Sequence, residues 1–115
     1  MMKLKILTAI LMASMAQAAN ATDPLGLACH EIAQTQVAIY PAPTSMPRRL
    51  FAEQVETSCL LGAGAEALNE SFNGAVDNVS IWLNQFARMP EEGQKAALAA
   101  AMNGYLYSQS LRVKN

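Results

Sequence analysis

The stretch LGAGAEALNES, residues 61–71, decides how this chain folds, because it places Gly62 and Gly64 inside what otherwise reads as a strong helix. Each glycine costs a helix about 1 kcal/mol relative to alanine. If the helix is straight, Gly62 falls on its apolar face and Gly64 close to the margin of that face. No proline or capping residue lies between Cys59 and Ala67. We therefore favour a continuous helix whose glycines allow a neighbouring helix to approach closely.

Two other interpretations of these glycines stay open. Gly62 would be the C-terminal cap of one helix, and a second helix would start near Ala65. The close approach that Gly62 and Gly64 allow would also suit a seam between two copies of the chain. A homodimer is therefore possible on the sequence alone.

Helical signals continue on both sides of this stretch. Asp23-Pro24 predicts a helix start, because a side-chain cap precedes the helical position that best tolerates proline. That first helix should end near Ile39, before Tyr40-Pro41. A second helix should begin near Pro47, capped by the threonine or serine at positions 44 and 45, and its apolar arc continues to Phe72. Asn73-Gly74 then has the composition of a turn.

Two further helices follow. A third helical stripe runs from Val76 to Phe86, and Met89-Pro90-Glu91-Glu92 predicts the start of a fourth helix that extends to about Leu111. Its many alanines imply close packing against a neighbour. Because no segment has the alternation of a strand, the predicted fold is all-α, a compact four-helix domain with one disulfide joining helix 1 to helix 2.

The N-terminal segment has the pattern of a signal peptide. Lys3 and Lys5 precede an apolar run that is too short to span a bilayer, and Ala16-Gln17-Ala18 has the small-x-small form of a cleavage site. We expect residues 1–18 to be removed, or cleavage after Ala21, and residues 19–115 to form a single helical domain. The mature protein is then expected to be periplasmic or secreted, without a membrane association.

The two cysteines, Cys29 and Cys59, are expected to pair, because an even number in an oxidising compartment most simply forms a disulfide. The bond would close a loop of about 30 residues and contribute roughly 3 to 4 kcal/mol in the chain-entropy model. A metal site built on Cys29-His30 would need ligands that a chain with one histidine does not obviously supply. We expect neither a metal nor a cofactor.

The mature chain is mildly acidic, with six basic and nine acidic residues and a formal charge of −3. No basic cluster extends beyond Arg48-Arg49, so nucleic acid and anionic membranes are poor partners. On a continuous helix, Glu56, Glu66 and Glu70 lie within about 80° of one another. They are candidates for contact with a basic surface of a partner protein. The alternative is an ordinary solvated face that the two arginines partly neutralise.

Signals of catalysis are nearly absent. His30 is the only histidine, and nothing in the sequence pairs it with a nucleophile. No serine has the context of a nucleophile elbow. We predict no catalytic residue and expect that the protein is not an enzyme.

Four stretches, taken in order, resemble a known family. They are LGLAC (25–29), CLLGAGAEAL (59–68), WL (82–83) and MPEEGQKAALAAAM (89–102). This order resembles the small periplasmic immunity proteins of type VI secretion, the amidase-immunity or resistance-associated group. The matching positions are Cys29, Cys59, Gly62, Pro90 and Ala97. Leu61 stands where the family often has an aromatic residue, and the closing cysteine of the family is missing from the tail.

The resemblance implies a protein that blocks a secreted cell-wall amidase by occluding its active-site cleft, often as a homodimer. An acidic helical domain with one disulfide is compatible with that role. The alternative is a small envelope-stress or chaperone-like periplasmic protein that exposes apolar surface under stress. The first function requires one specific partner, whereas the second requires many clients.

Overall fold

The computed structural model describes residues 23–114, and this part of the chain forms four α-helices without any strand. The all-α class and the four-helix architecture are therefore confirmed. The expected signal peptide lies outside the described residues. None of the helices between residues 23 and 114 combines the length and the apolar character that a membrane crossing requires. The helices are α1 (Pro24–Ile39), α2 (Arg48–Ala67), α3 (Phe72–Gln85) and α4 (Glu91–Lys114).

Helices α2 and α4 form the centre of the domain and run parallel to each other. Phe51, near the start of α2, lies beside Gly93 at the start of α4. Glu66, near the end of α2, is hydrogen-bonded to Ser108 near the end of α4. Helices α1 and α3 each pack against both central helices. The buried core at their junctions includes Phe51, Val55, Val79, Leu83, Ala96, Ala97, Ala100 and Ala101.

The backbones of α2 and α4 approach most closely at two glycines. A Cβ atom on Gly62 would overlap the carbonyl oxygen of Ala101, and a Cβ atom on Gly104 would overlap the carbonyl oxygen of Cys59. α2 runs without a break through Gly62 and Gly64, so neither residue caps a helix. The structure thus places Gly62 in a helix contact within one chain, whereas Gly64 is only half-buried.

The predicted disulfide between the first two helices is confirmed. Cys29 of α1 is bonded to Cys59 of α2, with Cα atoms 5.5 Å apart, and both side chains are fully buried. Because Gly104 of α4 lies against Cys59, the bond lies where three helices meet.

The first two helices begin differently from each other. The Asp23 side chain accepts a hydrogen bond from the amide of Leu25 at 3.3 Å, as expected for the cap of α1. The predicted cap of α2 at Thr44 or Ser45 is wrong. Its N-cap is Pro47, and no side chain accepts a hydrogen bond from its first turn. The amides at the start of α2 therefore keep unused hydrogen-bonding capacity.

The predicted turn at Asn73-Gly74 is also wrong. α2 ends at Ala67, and Asn69 adopts a left-handed backbone with φ 65°. Ser71 then caps α3 by accepting a hydrogen bond from the amide of Gly74 at 3.0 Å. The asparagine and the serine together end one helix and start the next, so Asn73-Gly74 falls inside the first turn of α3.

Candidate protein-binding surface

The turn between α2 and α3, residues 68–71 and here termed the tip, has a backbone fixed by hydrogen bonds. The amide of Asn69 donates to the carbonyl of Glu66 at 3.0 Å, and the amide of Glu70 donates to the carbonyl of Ala65 at 2.9 Å. Together with the left-handed backbone of Asn69, these two bonds form a Schellman motif. Asparagine is one of the few residues other than glycine that adopts this conformation readily. The tip is therefore ordered by its own sequence.

Helix α4 also holds the tip in place. The Tyr105 hydroxyl donates a hydrogen bond to the carbonyl oxygen of Glu70 at 2.6 Å. The ring of Tyr105 packs edge-to-face on Phe72, with 5.4 Å between the ring centroids. Such aromatic pairs contribute about 0.5 to 1.5 kcal/mol beyond the area that they bury. The tip is thus anchored by Tyr105 of α4 as well as by the end of α2.

The tip presents an apolar side chain beside polar ones. Leu68 is 37% exposed, Asn69 and Ser71 are exposed, and Glu70 is half-buried. Sequence reasoning missed this turn because Leu68 continues the apolar arc of α2. Two signals were present nevertheless, an asparagine suited to a left-handed helix end and a serine two residues later suited to a helix cap.

Glu66 lies inside the protein, so the predicted acidic stripe does not include it. Its side chain is 2% exposed, and its carboxylate accepts a hydrogen bond from the Ser108 hydroxyl at 2.7 Å. The other carboxylate oxygen lies 2.6 Å from the Arg112 guanidinium. The physical reason is that α4 covers this side of α2. Glu66 therefore ties the end of α4 to the base of the tip.

Arg112→Ala is expected to lower the free energy of unfolding by about 1 to 3 kcal/mol. The variant would leave the Glu66 carboxylate buried with one remaining hydrogen bond. Because the Arg112 side chain is 59% exposed, water weakens this ion pair relative to a fully buried one. Urea denaturation measures the change. Lys95→Ala is the control, since Lys95 is an exposed residue of the same helix; an equal loss in both variants would contradict the prediction.

Glu56 faces α1 rather than a free surface. Its Oε1 atom lies 2.9 Å from Nδ1 of His30, beside the disulfide. This contact gives His30 a structural role between α1 and α2. Glu56, Glu66 and Glu70 therefore have different surroundings, at α1, at α4 and in the tip. They do not form one acidic surface.

Several large apolar side chains remain exposed in the described part of the chain. Ile39 and Phe86 are the most exposed, at 62% and 57%. The others belong to α1, α2, α4 and the tip. Each of them provides apolar surface that is available for protein contacts. The set is Leu27, Ile39, Leu50, Leu68, Phe86 and Leu106.

The chain matches no protein-family model, and it shows no significant similarity to a curated protein or to a solved structure. Between residues 23 and 114, no three histidine, cysteine, aspartate or glutamate side chains are arranged to hold a metal ion.

Proposed function

We propose that this protein is a non-catalytic inhibitor of the periplasmic or secreted space, an immunity protein that neutralises a cell-wall-degrading effector. The observation that carries the proposal is the fixed, solvent-facing tip, residues 68–71. In this proposal the tip enters the active-site cleft of the effector, and the adjoining ends of α2 and α3 cover the rim of the cleft.

The rigidity of the tip is what suits it to this role. A segment that is already ordered loses little conformational freedom on binding, so more of its contact energy appears as affinity. The Schellman motif and the Tyr105 hydrogen bond fix the tip from two sides. Leu68 then offers an apolar contact, and Glu70 carries the one acidic group of the tip.

Two further observations support the compartment and the class of partner. The Cys29–Cys59 bond is compatible with an oxidising compartment, where cell-wall hydrolases act. The resemblance to amidase-immunity proteins suggests that class of hydrolase. Both observations are compatible with the tip as an occluding element.

The experiment that tests the proposal is an inhibition assay. The oxidised protein is used to capture partners from cell-envelope and secreted fractions, and a retained hydrolase is identified by mass spectrometry. The purified hydrolase is then assayed on isolated cell walls with increasing amounts of the protein. We expect activity to be lost at one equivalent. Full hydrolase activity at saturating protein, or no retained hydrolase, would contradict the proposal.

Leu68→Arg is expected to raise the dissociation constant for the hydrolase at least about tenfold, which corresponds to about 1.4 kcal/mol. The bulky charged side chain would replace the apolar contact at the tip. Isothermal titration calorimetry measures the affinity, and a thermal melt checks that the fold is retained.

Ile39→Arg provides the matched control for this substitution. Ile39 is also exposed, and it is the last residue of α1. The end of α1 lies beside the start of α2, whose 20 residues span about 30 Å and separate it from the tip. Ile39→Arg should leave the affinity unchanged. If both substitutions weakened hydrolase binding equally, the tip would not be the specific contact, and exposed apolar surface in general would account for the binding.

The exposed apolar side chains favour a second candidate function, that of a small chaperone-like envelope protein. Ile39, Phe86 and Leu27 are each more than half exposed. This candidate predicts acid-induced unfolding and suppression of aggregation for several unrelated client proteins. A sharp cooperative melt retained at pH 2 to 3 would argue against it.

A further inference from the structure

A groove lies at the end of α2 opposite the tip. It is bounded by the C-terminal part of α1, the loop of residues 40–47 and the first turn of α2, and its volume is about 740 Å³. This volume falls in the range of about 300 to 1,000 Å³ that is typical of small-molecule sites. Most of its lining residues are apolar, including Val37, Pro41 and Met46, while Gln34 and Thr44 contribute uncharged polar atoms.

All the charge that lines this groove is positive. Arg48 and Arg49 are its only charged lining residues, and both are exposed. Arg48 has no ion-pair partner among the described residues, whereas Arg49 lies 3.5 Å from Glu53 in a solvent-exposed pair. An exposed pair of this kind contributes little. The groove therefore combines apolar walls with a cationic rim on which Arg48 has no ion-pair partner among the described residues and Arg49 is only weakly paired.

The start of α2 adds to this positive potential. Pro47 is its N-cap and offers no side-chain acceptor, so the first amides of the helix lack a cap. The positive end of the helix dipole lies at the same place as Arg48 and Arg49. An anionic group held there would meet both the arginines and the helix end.

We propose that this groove binds a small amphipathic anion. The carboxylate of the ligand lies against Arg48 and the first turn of α2, and its apolar body lies along Val37, Pro41 and Met46. The volume suits a single small molecule, and the positive charge of the rim favours an anion over a cation. This site is separate from the tip and does not depend on the proposed inhibition.

The test uses decanoate as the probe, with the oxidised full chain and isothermal titration calorimetry. Decyltrimethylammonium has the opposite charge and an apolar tail only one carbon longer, and hexanoate has the same head with a shorter tail. We expect each of these two to bind at least about tenfold more weakly than decanoate. Backbone amide shifts in NMR spectra should be largest for residues 48–50 and for the groove walls.

Charge-matched variants separate the groove from general electrostatics. Arg48→Glu should weaken decanoate binding at least about tenfold, whereas Lys95→Glu, with the same change in net charge on another helix, should leave it unchanged. Equal effects of the two variants, equal binding of decanoate and decyltrimethylammonium, or no decanoate binding in the millimolar range would each overturn the proposal. Binding to phosphatidylglycerol vesicles without binding of free decanoate would overturn it in favour of a membrane surface.

Discussion

Gly62→Ala is expected to lower the free energy of unfolding by about 3 kcal/mol, even though alanine is the better helix former by about 1 kcal/mol. The added Cβ atom would overlap the carbonyl oxygen of Ala101 in α4. Backbone atoms cannot rotate out of the way as a side chain can, so α2 and α4 would have to separate. That separation would loosen the packing along the most extensive contact of the domain. Urea denaturation followed by circular dichroism measures the change.

Gly64→Ala makes the same chemical change two residues further along the same helix. Gly64 is half-buried rather than buried, so the gain in helix propensity should dominate. We expect the stability to stay the same or to rise by up to about 1 kcal/mol. A loss in Gly64→Ala as large as that in Gly62→Ala would show that helix disruption, rather than the contact with α4, determines the effect.

Reduction of the Cys29–Cys59 bond is expected to lower the free energy of unfolding by about 3 to 4 kcal/mol. The bond closes a loop with a sequence separation of 30 residues, so its loss releases a large amount of conformational freedom in the unfolded chain. Native domains are stable by only about 5 to 15 kcal/mol, so this loss is a large share of the total. The melting temperature should fall by roughly 15 to 25 °C.

The control for reduction is the double variant Cys29→Ala, Cys59→Ala. Both side chains are fully buried, and alanine introduces no unpaired polar group. The double variant should melt near the temperature of the reduced protein and should not respond to dithiothreitol. If reductant lowered the melting temperature of the double variant as much as that of the parent, the effect would not come from the disulfide.

The helix pattern could be predicted from the sequence because local signals carry it. Asp23-Pro24 and Pro90-Glu91 mark helix starts through properties of the residues themselves, and α1 and α4 begin there in the structure. The end of α2 was misplaced because Leu68 is apolar and keeps the helical stripe intact. Asn69 ends α2 and Ser71 starts α3. Both are common polar residues, and their effect depends on the backbone geometry of the turn.

The placement of Glu66 could not be predicted in the same way. A glutamate beside an apolar arc normally faces water, and the groups that bury this one, Ser108 and Arg112, come from another helix 42 or more residues away. Burial of the carboxylate depends on how α4 crosses α2, which Gly62 and Gly104 determine together. Helix periodicity alone carries no information about such a crossing. For the same reason, the sequence could not predict the groove between α1, the loop of residues 40–47 and α2. It showed only that Arg48 and Arg49 are adjacent in the chain.

The position of Gly104 has a consequence for the order in which the protein matures. Both cysteines belong to the first two helices, so they can meet and oxidise before α4 has packed against them. The sulfur atoms stay open to exchange with other thiols until α4 arrives, because it is α4 that lies against Cys59. The last helix of the chain thus covers a cross-link made by the first two. A chain that stops short of α4 would keep a disulfide that can still be rearranged or reduced.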